Sequence, residues 1–532
     1  MLRAWLLFLP TFIHLQINLV GAVAIGPKLI NLSFDTYSVP LPIRSSHPLG
    51  LSFEFFAFPS YLTEVLQTNQ CLLNLELAYG VAPAVRIGGT TQDRAVYDPN
   101  ETQPIRYSLP PGEQVPKTIS FGPQFIELAS RLKGPTTIGF SRQLGDLKNV
   151  GLAALTAVQK MNNLYAIELG NEPEFWGPRS PEAHGNPWTP EADSNSQIRW
   201  QQAISEKVFK RGIIQAGVFL SPPRWSVQEL APKEEKGLEY VRSFGGHAYP
   251  QSACGDSKTS LPDLMNHSRI VSFVKHYEPE VLAARKVQKP YHFSESNSGV
   301  HFVISISAQK DLAHLVYTVT KKFLQICLAT CGGHGISATF GAALWLMDYV
   351  FQSLILGVDR VYFHQGTINH SPYSFWNQTQ VSPTYYGAYF TTLALRETTH
   401  ISTMETSNPA VAVYALWRCQ RIARLVVYHS EFHDGAAASE LSPDIVRIEK
   451  LPSDVRKARV LRLSAKHAFI GEGGPGLGQV RIGGGYFDND TCKISVLPKY
   501  ETVSSNLDRL EILIHKSEAM ILELDRQIPS SC

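Results

Sequence analysis

The chain predicts an α/β protein, a (β/α)8 TIM barrel followed by a C-terminal antiparallel β-sandwich, and three observations carry that expectation. Eight strand-like runs alternate with helix-like ones between about residues 48 and 400, the pattern of a parallel sheet wound with helices. Two of those runs halt on a glutamate, Glu172 and Glu295, which lie 123 positions apart. At roughly 30 to 40 residues per strand-helix unit, that gap is about three units and suits strands four and seven of one barrel. After about residue 405 the texture changes to short runs of alternating polarity, which read as an antiparallel sandwich over 405–532.

Residues 1–24 read as a signal peptide: Arg3, the apolar run Ala4 to Pro10, and an Ala22-Val23-Ala24 cleavage pattern. His14, Gln16 and Asn18 interrupt the span well before the ~20 apolar residues that a bilayer requires. Residues 25–47 contain a strand, Lys28–Val39, which precedes the barrel and is expected to join the C-terminal sandwich.

The barrel over 48–400 has candidate strands at Leu51–Phe58, Ala84–Gly88, Thr136–Phe140, Tyr165–Gly170, Ile213–Phe219, Ser243–Tyr249, Tyr291–Glu295 and Arg360–Gln365. Between them lie helical stretches such as Asp146–Met161, with Asp146 as its cap, and Ser194–Arg211. The apolar run Phe340 to Val358 carries Asp348 and Gln352 and reads as a packed barrel helix rather than a membrane span. One stretch breaks the order: residues 301–330, behind the second glutamate, look helical where a short loop would suffice. Either they form a lid or they are an intron read through in frame, and removing them would leave six cysteines.

In the C-terminal region the candidate strands are Val411–Trp417, Ile422–His429, Ile445–Ile448, Val460–Ser464, Lys493–Leu497 and Ala519–Leu524.

Composition narrows the function classes. Of 532 residues, 44% are hydrophobic and 18% charged, as in a folded globular protein, and a formal charge of +2 singles out no partner. The one basic cluster, Lys207 to Arg211, is a solvated helix face, which argues against nucleic acid. Seven scattered cysteines make neither a disulfide scaffold nor a zinc ribbon, and Cys492 with Cys532 is a candidate C-terminal staple. Sequons at Asn31, Asn100, Asn266, Asn369, Asn377 and Asn489 fit a secreted, extracellular or cell-wall protein with no membrane association after signal cleavage. The histidines show no metal-ligand spacing, so neither metal nor cofactor is expected. The G-x-G-x-x-G at Gly471, Gly473 and Gly476 is interrupted by Pro475 and precedes a strand-like run, and it reads as a turn.

The two glutamates carry the chemistry. Hydrolysis of an acetal needs an acid for the leaving oxygen and a carboxylate to trap the oxocarbenium-like centre. Glu172, in Gly170-Asn171-Glu172-Pro173, is expected to be the general acid/base, with Asn171 placed for a sugar 2-hydroxyl; Glu295 is the expected nucleophile. A retaining pair requires a carboxyl separation of about 5 to 5.5 Å. Arg86 is expected to keep Glu295 ionised and Tyr249 to donate its hydroxyl to it. Glu54, Tyr362 and Gln365 are further candidates for sugar contacts, while Trp345 is assigned to the core.

These residues resemble glycoside hydrolase family 79, particularly its fungal β-glucuronidase-like members. The segments concerned are Ser52-Phe53-Glu54-Phe55, Arg86 to Arg94, Gly170 to Pro173, Ser294 to Ser298, Phe340 to Trp345 and Val361 to Gly366. Asn-Glu-Pro is shared by many retaining barrel glycosidases, and the segments opening on Arg86 and Phe340 narrow the match. The resemblance implies a cofactor-free retaining mechanism and exo-release of β-linked glucuronic acid, or its 4-O-methyl form, from a glycan. The departure is the insert after Ser298, where the family's substrate-binding loop follows the nucleophile. Other readings are an endo-acting heparanase-like hydrolase, an exo-β-glycosidase for a neutral sugar, and a catalytically impaired carbohydrate-binding wall protein.

Overall fold

The computed structural model describes residues 27–251, 260–299, 332–436, 442–471 and 479–526. Residues 1–24, the stretch 301–330, the Gly473 turn, Cys254, Cys327, Cys331 and Cys532 lie outside the described residues.

Eight parallel strands close into one barrel: β1 (Leu49–Glu54), β2 (Ala84–Gly88), β3 (Thr136–Phe140), β4 (Leu164–Leu169), β5 (Ile214–Phe219), β6 (Val241–Ala248), β7 (Tyr291–Ser296) and β8 (Arg360–Gln365). Closure runs through β8, whose Val361 to Gln365 pair with Leu49 to Phe53 of β1. β1 to β3, β5, β7 and β8 are buried along their whole length on both faces, and β6 is buried except at Arg242, which is why they read as apolar runs rather than alternating ones. β1 stops four residues earlier than its sequence suggests, because Phe58 and Pro59 open a short helix, Phe58–Thr63, with proline in its first turn.

The helix Leu147–Lys160 is capped by Asp146, whose carboxylate accepts the Asn149 N–H (2.9 Å). The helix Phe340–Leu356 is buried from Phe340 to Leu354, with Trp345 stacked on Tyr349. Its apolar composition reflects burial between barrel and sheet; among the described residues no helix is long and apolar enough to cross a membrane.

Beyond the barrel, an eight-stranded sheet includes His400–Met404, Val411–Arg418, Arg421–His429, Lys457–Ser464 and Glu518–Leu524. A three-stranded sheet faces it. There the N-terminal strand Leu29–Ser33 runs parallel to Asp444–Glu449, which pairs antiparallel with Leu510–Ile514. One apolar core joins the two sheets, with Ile30, Val446 and Ile512 on one side and Val413, Val427 and Leu522 on the other. The alternate residues of the larger sheet, Tyr414, Val426, Tyr428 and Ile521, belong instead to the barrel's core. That sheet is therefore buried on both faces. Tyr414 donates its hydroxyl to Asp348, and Tyr428 donates to the Met265 carbonyl (2.7 Å).

Two details differ from the sequence expectation. Lys493–Leu497 contributes Ile494–Val496 to a separate two-stranded ribbon with Tyr486–Phe487, not to the sandwich. Cys492 bonds to Cys71, not Cys532, and so ties that ribbon to the helix Gln67–Tyr79 of the barrel. Both sulfurs are buried, and Phe487 fills the space between Tyr385, Tyr386 and Tyr389. Sequence spacing alone could not reveal a pairing across 421 positions.

Candidate active site

Glu172 follows β4 after a sharp turn in which Gly170 has φ +85° and Glu172 itself φ +43°. A side chain on Gly170 would meet the Trp176 ring at 2.6 Å, so glycine is required there both for its backbone and for that approach. The turn is pinned from several sides. Asn171 donates its N–H to Asp93 Oδ2 (2.8 Å), Glu172 donates its own to the Val218 carbonyl (3.2 Å), and Trp176 Nε1 donates to the Asn171 carbonyl (3.2 Å). Arg142, ion-paired with Asp193, lies over the Trp176 ring and supports it from behind. A non-glycine residue held at positive φ by this many contacts is the kind of locally strained placement found at functional sites.

Glu295 stands near the end of β7. Arg86 donates through Nη1 to its Oε2 (2.6 Å), and Tyr249 donates its hydroxyl to its Oε1 (2.6 Å). Arg86 also grips Glu168 through Nε and Nη2 (2.5 to 3.1 Å) and gives Nη2 to Asn171 Oδ1 (2.9 Å), which orients the amide beside Glu172. Glu168 accepts a further bond from Gln215 (2.8 Å). Three strands thus converge on one guanidinium.

One carboxylate oxygen of Glu172, one of Glu295 and a ring nitrogen of His247 all lie within 4.8 Å of one another. His247 Nδ1 is 2.7 Å from Glu172 Oε1, and its Nε2 is buried with no hydrogen-bond partner among the described residues. Burial holds His247 down at about 4, hence neutral at neutral pH. Burial, and then the Glu295 charge, push Glu172 well above the usual carboxylate range. For Glu295 burial acts upward too, but His364, Arg86 and the Tyr249 hydroxyl outweigh it and hold the group well below that range. One carboxyl is thus kept protonated and its neighbour ionised, which is the arrangement an acid and a nucleophile need.

The other candidates are distributed unevenly. Glu54 lies in the same mouth, where it accepts the Thr91 N–H and hydroxyl on Oε1 and stands 3.2 Å from His364 on Oε2. Gly89, at φ +94°, permits this approach: a Cβ there would sit 2.6 Å from Glu54 Oε2. Tyr362 is buried inside the barrel against Arg360 and His292, away from both carboxylates. Gln365 is fully buried and accepts the Phe375 N–H (2.7 Å), shaping the loop after β8. Sequence reasoning passed over Glu168, His247, His364 and Asp93. The period of two was available as a signal: His247 is two positions from Tyr249 and His364 two from Tyr362.

No protein-family model matches the chain. A β-glucuronidase of Neurospora crassa is 25% identical over 480 residues, spanning 80% of this chain and 79% of the relative. A β-glucuronidase of Aspergillus niger is 27% identical over 354 residues, 60% of this chain and 59% of that one. Among solved structures, a 4-O-α-L-rhamnosyl-β-D-glucuronidase from Fusarium oxysporum, in complex with Rha-GlcA, superposes with a TM-score of 0.81 at 34% identity. The match covers 93% of this chain and 100% of that one.

Proposed function

The chain belongs to the fungal β-glucuronidase-like glycoside hydrolases, and from that premise we propose that it removes terminal β-linked glucuronic acid, or its 4-O-methyl form, from a glycan with retention of configuration. The observation that carries this reading is the pair of carboxylates within 4.8 Å whose surroundings push them to opposite protonation states. Glu295 attacks the anomeric carbon as Glu172 gives its proton to the departing glycosidic oxygen, which leaves a glycosyl ester on Glu295. Water then attacks the same carbon, its proton passes to Glu172, and the ester bond breaks to restore both residues. Two inversions give net retention. Asn171, oriented by Arg86, faces the sugar 2-hydroxyl in this scheme. Secretion rests on the signal-peptide pattern of residues 1–24 and the sequons.

The Fusarium relative favours a second reading for the non-reducing end, in which the glucuronate carries rhamnose on its 4-oxygen. Release of 4-nitrophenol from its β-glucuronide, by protein made with and without residues 301–330, tests the first reading. Activity abolished by Glu295→Gln and lowered by Glu172→Gln supports it; a folded protein silent on this substrate but active on a rhamnosyl-glucuronide supports the second. Turnover of an aryl glucoside or xyloside alone would refute both.

A further inference from the structure

Opposite Arg86, a second polar assembly reaches Glu295 from β1 and β8. His364 Nδ1 lies 3.6 Å from Glu295 Oε2 and 3.0 Å from Ser52 Oγ, while its Nε2 lies 3.2 Å from Glu54 Oε2. Ser52 Oγ also accepts Arg86 Nη1 (3.0 Å). His364, Ser52 and Glu54 are all buried, so these contacts operate in a medium that screens charge weakly. Both oxygens of Glu54 are engaged by the protein, one by Thr91 and the other by His364. A carboxylate so committed serves its histidine before it serves a sugar.

We infer that Glu54 and His364 form a charge relay in which Glu54 holds His364 as a cation and that cation keeps Glu295 ionised, making both positioning residues for the nucleophile. The inference rests on the assignment of Glu295 as nucleophile. The groups facing His364 are Glu54 from β1, Arg86 from β2, Glu295 from β7, the Tyr373 ring from the loop after β8 and, across the mouth, Glu172 and His247. Two anions, Glu295 and Glu54, outweigh burial and the repulsion of Arg86, so His364 titrates above its ordinary value. The arrangement splits the work: Arg86 is shared with Glu168 and Asn171, whereas the imidazolium is directed to Glu295 and to the carboxylate that charges it.

Two readouts test this, one of which needs no substrate. Nitrogen-15 histidine spectra of the full chain, with His364→Gln used for assignment, are expected to show His364 doubly protonated at pH 7 in the wild type and neutral there in Glu54→Gln. In the pH profile of kcat/KM on aryl glucuronide, the acidic limb is expected to move up by about one pH unit in His364→Gln and in Glu54→Gln, and no further in the double variant. A His364 already neutral at pH 5 in the wild type overturns the relay even if no glucuronide is turned over. An acidic limb unmoved in a folded, active His364→Gln protein overturns it as well.

Discussion

Glu172 and Glu295 are the same side chain at the ends of two non-adjacent strands of one barrel, yet their surroundings are opposites. The Glu172 side is built from a neutral imidazole, a tight turn and the charge of its partner; the Glu295 side is built from a guanidinium, an imidazole that titrates high and a phenol. The difference teaches that protonation here is set by which strands supply cations and which supply only burial, not by the identity of the titrating group.

The sharpest way to break the contrast is to remove each carboxylate. Glu295→Gln is expected to abolish turnover, whereas Glu172→Gln costs about 10²- to 10⁴-fold. The loss at Glu172 should shrink on 4-nitrophenyl substrates, whose leaving group needs little protonation, and that at Glu295 should not; initial rates on aryl and sugar glucuronides check this. Next in size, Arg86→Met leaves Glu168 and Glu295 without the cation they share, and chemical denaturation is expected to show a loss of about 3–5 kcal/mol. Opening the Cys71–Cys492 bond by replacing both with alanine should lower stability by about 2–5 kcal/mol while leaving the pH profile in place, since the bond ties the helix Gln67–Tyr79 to the ribbon.

The smallest perturbation sharpens the comparison most. In the proposed mechanism activity requires Glu295 ionised and Glu172 protonated, so it is expected above the depressed Glu295 value and below the elevated Glu172 value. Tyr249→Phe removes a bond to a charged acceptor, worth about 1.5–3 kcal/mol. Its expected signature is an acidic limb displaced upward with the alkaline limb unmoved. Displacement of both limbs would show that the two sides are not electrically separate.

Much of this was legible beforehand because most of the barrel strands are buried on both faces and two of them run out onto Asn171-Glu172 and onto Glu295. The eight strands of the barrel follow the sequence reading to within a few residues. His247 and His364 were harder to find: a histidine inside an apolar strand resembles a satisfied core residue until the partner strand brings a carboxylate to it. His400–Met404 and Leu510–Ile514 escaped for another reason. The first mixes His400, Ser402 and Thr403 with apolar Ile401 and Met404 in no regular alternation, the second alternates Leu510, Ile512 and Ile514 inward with exposed Glu511 and Leu513, and both owe their pairing to distant segments. The ribbon at Ile494–Val496 has a strand's alternation without a sandwich partner.

The sheet buried on both faces has a consequence for how this enzyme can be recombined. Appended carbohydrate modules joined by a linker can be traded between catalytic domains; here a cut near residue 405 would strip the barrel of the Tyr414 hydroxyl on Asp348 and uncover Tyr428, Val426 and Ile521 at once. The N-terminal strand Leu29–Ser33 would be orphaned in the same stroke, since its partner Asp444–Glu449 lies on the far side of the cut. A chimera with a relative should therefore exchange barrel loops and leave the sheets with the chain that owns them.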